Sequence, residues 1–191
     1  DIDRIGLKAS QFSFARLQNA DPVLGVDMSS TGEVGCLGDD LNEAMLNSLI
    51  ATGYSIPKDA VLISSGGAKG KVSLLEPAQQ LAKKGYTIYA TGGTAKFFND
   101  NGVKAISVAW PDEEGENVMD LISQHKVGLV INVPKNHTSR ELTNGYKIRR
   151  GAIDHNIPLM TNVRLAKAFI EAFTAMNLED VKIKSWQEYN N

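Results

Sequence analysis

Ala60-Val61-Leu62-Ile63-Ser64, followed by Ser65-Gly66-Gly67-Ala68-Lys69-Gly70, decides the fold of this chain. A short apolar run without polar alternation reads as a strand buried on both faces, the mark of a parallel sheet. The glycine-rich stretch behind it reads as the loop at that strand's carboxyl end. Residues 71–84 then place Val72, Leu75, Ala78 and Leu81 at helical spacing. The same rhythm continues along the chain. Tyr86 to Ala90 predicts a second strand, and Thr91-Gly92-Gly93-Thr94 a tight turn into a short helix ending near Asn101-Gly102. Ala105 to Val108 predicts a third strand and Val118 to His125 a helix. Gly128-Leu129-Val130-Ile131-Asn132-Val133 is the fourth and most apolar strand. Tyr146 to Asn156 predicts a helix, Ile157 to Thr161 a short fifth strand, and residues 163–176 a closing helix. The alternation predicts an α/β fold, a Rossmann-like three-layer sandwich with about five parallel strands. Right-handed crossovers put every strand-to-helix turn on one edge of that sheet.

Upstream the style changes. Residues 1–55 are glycine-punctuated and carry too little apolar patterning to be a domain alone. Phe12-Ser13-Phe14 alternates like a short strand, Asp21-Pro22 marks a turn, and Ser29 to Glu33 reads as a polar loop. Leu41, Ala44, Met45, Leu49 and Ile50 predict a helix capped by Asp39 or Asp40 and ended by Gly53 and Pro57. At the other end, Lys182-Ile183-Lys184-Ser185-Trp186 reads as a last strand or edge piece.

Bulk properties narrow the function classes. The 191 residues are 42% hydrophobic and 22% charged, with a formal net charge of −2. That balance argues against nucleic acid as the main partner, which needs a basic face. No apolar run approaches the roughly 20 residues that span a bilayer, so no membrane partner is expected. The single cysteine, Cys36, sits in an apolar setting and is expected to be a buried small residue in a reducing compartment. His125, His137 and His155 lie at no metal-ligand spacing, so no metal site is expected.

Ligands of an open parallel sheet bind beyond the carboxyl ends of its strands. The first such loop offers Gly66, Gly67, Lys69, Gly70 and Lys71, whose backbone donors and ammonium groups suit an anion, although the spacing is not that of a P-loop. The second, Thr91-Gly92-Gly93-Thr94, adds two hydroxyls at a helix start, an arrangement that also describes an ordinary helix cap. Trp110 follows the third strand, with packing and ligand roles both open. Asn132, at the end of the fourth strand, either holds a ligand or satisfies the loop backbone. Asp112, Glu113, Glu114 and Glu116 read as a solvated acidic loop. Neither a nucleophile elbow nor a zincin motif is present.

Asp21-Pro22-Val23-Leu24-Gly25 with Met28-Ser29-Ser30-Thr31-Gly32-Glu33-Val34 closely resembles the end of the second ATP-grasp half of carbamoyl-phosphate synthase. Tyr89 to Thr94 resembles the phosphate loop of the methylglyoxal synthase-like fold, and Ile148-Arg149-Arg150 with Ile157-Pro158-Leu159 its last helix and strand. The resemblance covers nearly the whole chain. It implies residues 1–55 as the tail of the preceding ATP-grasp region and 56–191 as a methylglyoxal synthase-like regulatory domain. The implied partners are a small anionic effector, the synthetase halves of a parent chain and a glutaminase subunit or domain. Self-association is compatible with it. No catalytic residue and no cofactor is expected in this piece; ATP with Mg or Mn belongs to the parent ligase, in the cytoplasm or in mitochondria.

Carried over position by position, the resemblance marks Lys71, Thr91, Gly93, Thr94, Trp110, Asn132, Lys135 and Asn144 as effector-binding. Trp110 stands where nucleotide-controlled relatives carry lysine, which is the pattern of members controlled by N-acetylglutamate. The chain departs from that pattern in carrying Lys135 and Gly145 where asparagines are expected, with Asn144 one position off. Met160 stands where an ornithine-responsive member carries aspartate. An acylated acidic amino acid is thus favoured over UMP or IMP. The alternatives are a lyase of the methylglyoxal synthase type, whose aspartate after the fourth strand is missing here, and a purely structural oligomerisation module.

Overall fold

The computed structural model describes residues 3–24, 30–134 and 138–189. Its centre is a five-stranded parallel sheet. In chain order the elements are β3 (Ala60–Ser65), α2 (Gly67–Lys83), β4 (Thr87–Thr91), α3 (Gly92–Asp100), β5 (Ile106–Val108), α4 (Val118–Ser123), β6 (Val130–Val133), α5 (Ser139–Asp154), β7 (Leu159–Met160) and α6 (Val163–Ala175). Strand order is β5-β4-β3-β6-β7, so the chain reverses direction across the sheet between β3 and β6. All six residues of β3 are buried, as a central strand covered on both faces requires.

Two apolar layers sandwich the sheet. Leu74, Leu81, Phe98, Phe169 and Phe173 from α2, α3 and α6 pack on Val61, Ile63, Ile88 and Ile131. Leu121, Ile122, Ile148 and Ala152 from α4 and α5 pack on Leu62, Val108 and Val130 of the other face. The upstream region joins the first layer. α1 (Leu41–Ala51), capped by Asp40 accepting from the Glu43 N–H, contributes Met45, Leu46 and Leu49 to that core. Tyr54 donates to the Leu159 carbonyl at 3.0 Å.

The structure corrects several boundaries. The upstream strand is β1 (Ile5–Gln11), not Phe12–Phe14, and it pairs antiparallel with β2 (Gly32–Gly38). Phe14–Arg16 is a 3-10 turn. The segment expected as polar loop thus supplies the start of β2, whose polar alternation is a half-exposed ribbon. α2 begins four residues early because Gly66 and Gly67 (φ 74°) start the helix rather than prevent it. α5 begins at Ser139 rather than Tyr146: the Thr138 hydroxyl accepts from the Glu141 N–H at 3.1 Å, and Gly145 is carried inside the helix. The tail forms no strand among the described residues. It makes a 3-10 turn at Leu178–Asp180 and a short α7 (Trp186–Tyr189), tied back by Lys184 to Asp39 at 2.8 Å. Cys36 is half-buried on β2 rather than buried, and desolvation pushes its thiol pKa up. His125 and His155 end α4 and α5 and pack edge to face; His137 lies outside the described residues.

Candidate functional site

The carboxyl ends of the strands form one row. Ser64 lies opposite Asn132 across β3 and β6, and Thr91 opposite Val108 across β4 and β5. Above this row, at the point where strand order reverses, is a cavity of about 200 Å3. Lys71, Thr91, Gly93, Thr94, Trp110 and Asn132 all line it. Asn144 does not: it is buried one residue before the lining Gly145 and donates to Asp112 at 2.8 Å. Lys135 lies outside the described residues. Lys69 is exposed and faces away, because the early start of α2 turns it out of the loop.

Two helices begin at the cavity. The N-caps of α2 and α3, Gly66 and Thr91, make no side-chain capping hydrogen bond. Among the described residues, backbone N–H groups at both starts are left uncapped by the N-cap side chains, and both helix dipoles present their positive ends. Lys71 stands over the second start, so close that a Cβ on Gly93 would lie 3.3 Å from its Nζ. Among the described residues Lys71 forms no salt bridge, which leaves its charge to the cavity.

The threonine hydroxyls have a second duty. Thr94 Oγ1 accepts from the Ser65 N–H at 3.2 Å and donates to the Ser65 carbonyl at 3.3 Å. Thr91 Oγ1 donates to Ser64 Oγ at 3.1 Å. Both threonines are buried and lace β3 to the start of α3. Ser65 Oγ is buried at the same wall, without a partner among the described residues.

Arg149 is the residue that sequence reasoning left out. Its guanidinium, 4% exposed, lines the cavity. One edge takes Asp21 through Nε (2.7 Å) and Nη2 (2.5 Å), and Nη1 donates to Asn132 Oδ1 at 2.7 Å. Arg150, next to it, donates to the carbonyls of Phe14, Leu17 and Ala20, so α5 bolts down the upstream segment. The dipeptide was visible as part of a resemblance, but its partners in the upstream segment lie more than a hundred residues away. The acidic loop is exposed as expected but not merely solvated. Arg140 pairs with Asp112 at 2.6 Å and Glu113 at 2.8 Å, and Lys126 with Glu116 at 2.6 Å. Hydrogen bonds from Arg140 hold the Asp112 carboxyl well below its usual range, at about 2.

A larger cavity, of about 400 Å3, lies between β7 and residues 10–16. Its walls include Phe12, Phe14, Leu24, Ile157 and Leu165, and the helix start there, α6, is capped by its own Asn162. Arg16 lines it too, but the helix start there is already capped, whereas the two at the smaller cavity are not capped by their N-cap side chains. Among the described residues no cluster of His, Cys, Asp or Glu could hold a metal ion, and no helix is long and apolar enough to cross a membrane.

Residues 73–161 match the family described as the MGS-like domain. Over 181 residues the chain is 43% identical to the Multifunctional protein pyr1-3 of Dictyostelium discoideum, covering 92% of this chain and 8% of that protein. It is 42% identical over 183 residues to the Multifunctional protein CAD of Squalus acanthias, covering 88% of this chain and 8% of that one. It is 39% identical over 185 residues to the mitochondrial carbamoyl-phosphate synthase (ammonia) of Homo sapiens, covering 94% of this chain and 12% of that protein. The chain thus spans about a tenth of the length of the curated relatives it matches. A methylglyoxal synthase from Elizabethkingia anophelis NUHP1 superposes with a TM-score of 0.42 at 14% identity, covering 71% of this chain and 95% of that one.

Proposed function

We propose that this chain, which carries an MGS-like domain homologous to a segment of carbamoyl-phosphate synthase proteins, is an effector-binding regulatory domain. The parent would be an ATP- and Mg- or Mn-dependent ligase making carbamoyl phosphate for the arginine and pyrimidine pathways, with synthetase halves and a glutaminase as partners. Residues 1–55 are assigned to the tail of the preceding synthetase half and 56–191 to the regulatory domain. One observation carries the reading: two helix starts without side-chain caps and the Lys71 ammonium converge on one cavity at the topological switch point. That is the arrangement that binds a small anion.

The favoured effector is an acylated acidic amino acid of the N-acetylglutamate kind. Trp110 gives the cavity a flat apolar wall, where burial of an acyl or methylene chain gains roughly 25 cal/mol per Å2. Asn132, Thr91 and Thr94 supply polar contacts, and Lys71 takes a carboxylate, joined, as the resemblance implies, by Lys135. The lyase reading has less support. A proton-abstracting base must reach the substrate, and β6 runs through Asn132-Val133 into Pro134 without a carboxylate; the carboxylate that does line the cavity, Glu141, comes from the first turn of α5, where it accepts from the Thr138 hydroxyl at 3.2 Å.

Competition calorimetry with wild type and Trp110→Lys tests the effector. N-acetylglutamate should bind wild type and be lost in the variant, which gains affinity for UMP or IMP through its added ammonium. Tight nucleotide binding by wild type, with none for N-acetylglutamate, overturns the assignment.

A further inference from the structure

The loop from β5 to α4 carries Trp110 to the cavity, and charges hold that loop in place. Residues 110–113 make a turn closed twice: the Glu113 N–H donates to the Trp110 carbonyl at 3.0 Å, and Glu113 Oε2 accepts from the Trp110 N–H at 2.9 Å. Arg140, in the first turn of α5, grips this turn from outside. Its Nε and Nη2 take both oxygens of Asp112, at 2.6 and 3.1 Å, and Nη2 also reaches Glu113 at 2.8 Å. The same guanidinium lies 5.8 Å from the centroid of the Trp110 ring. One helical turn on, Asn144 donates to the same Asp112 Oδ1 that Arg140 Nη2 reaches, at 2.8 Å. Arg140 and Asn144, four residues apart, thus share one helix face directed at one carboxylate.

We propose that Arg140 is a positioning residue for the cavity. Through Asp112 and Glu113 it fixes the Trp110 ring as a cavity wall, and so selects ligands bearing an acyl or methylene chain. This rests on the reading that the cavity binds a small anion. The cluster of two carboxylates and one guanidinium has a formal charge of −2 + 1 = −1, so it does not itself hold the anion. A planar fork is needed, because one cation must satisfy two carboxylates and lie against a ring at once. Asn144 acts in the same network, on Asp112 and not on the cavity lining.

The test compares wild type with Arg140→Gln and Arg140→Lys, all in a Trp186→Phe background so that Trp110 is the only tryptophan. Acrylamide quenching reads the ring without any ligand, and calorimetry with N-acetylglutamate and UMP reads the cavity. Arg140→Gln should make Trp110 more quenchable and weaken N-acetylglutamate on the order of threefold to tenfold. UMP should change less, and Arg140→Lys should restore only part of the loss. Unchanged quenching in Arg140→Gln overturns the positioning role whatever the ligand does. Greater quenching with unchanged N-acetylglutamate affinity overturns the selectivity. If wild type binds neither probe, the anion-site reading fails and the selectivity falls with it, while quenching still decides the positioning of Trp110.

Discussion

One wall of the cavity, made by the ends of β3 and β4, is held by neutral hydroxyls; the opposite wall, made by α5 and the loop after β5, is held by charges. Ser64, Ser65, Thr91 and Thr94 exchange hydrogen bonds between the end of β3 and the turn from β4 into α3. Arg149 instead reaches the upstream segment at Asp21, and Arg140 the loop after β5 at Asp112. The neutral wall follows from parallel pairing alone, since that pairing brings the strand ends together. The charged wall depends on how the upstream segment and the β5–α4 loop dock on α5. It is therefore the wall that ties the cavity to the upstream segment.

The largest effect should come from breaking the buried pair on the charged wall. Asp21→Ala leaves a guanidinium only 4% exposed without its counterion and should cost about 2–4 kcal/mol. Arg149→Met leaves Asp21, which is 40% exposed and easily hydrated, but also takes the donor from the buried Asn132 Oδ1, and should cost somewhat less, about 1–3 kcal/mol. Urea denaturation of both variants and the double variant checks the order. If Asp21→Ala costs less than about 1 kcal/mol, the upstream segment is not held by this charge.

The neutral wall should yield next. Thr94→Val takes the acceptor from the buried Ser65 N–H and should cost about 1–3 kcal/mol. Thr91→Val loses one hydroxyl pair and should cost about 1 kcal/mol or less. Thermal denaturation gives the ranking, and faster hydrogen exchange at the Ser65 amide in Thr94→Val locates the lesion. A threonine that acted on ligand alone would leave both readings unchanged.

This contrast explains what the sequence disclosed. The five strands and the switch-point loops were legible because each is written locally, in an apolar run followed by glycine or threonine. Lys71, Thr91, Gly93, Thr94, Trp110 and Asn132 consequently fall around one cavity. The early start of α5 was hidden because Gly145 reads as a breaker, while the true signal, Thr138 capping the Glu141 N–H, lies seven residues upstream. With that turn missed, Arg140 had no helix face to belong to. Arg149 was hidden differently. A buried arginine is only legible through its counterion, and Asp21 is 128 positions away in sequence.

The smallest effect separates the walls by pH. The Asp112 carboxyl sits at about 2 instead of the ordinary 3.8, chiefly because Arg140 hydrogen-bonds it, and Glu113 is also lowered, first by the Trp110 N–H and then by Arg140. A carboxyl lowered by folding contributes its stabilisation fully above the unfolded value and loses it as pH falls through the folded one. The grip on Trp110 should therefore persist from neutrality to about pH 4 and fail as pH drops from 3.8 toward 2. In the Trp186→Phe background, Trp110 emission should stay flat and then shift to the red over that window. Asp112→Asn should be shifted already at neutral pH and show a smaller step. The neutral wall has no ionisable side chain among Ser64, Ser65, Thr91 and Thr94. Protection of the Ser65 amide, corrected for intrinsic exchange, should consequently hold through the window in which the tryptophan loosens, with far-UV circular dichroism excluding global unfolding. Simultaneous loss of both signals would mean that the two walls open as one unit.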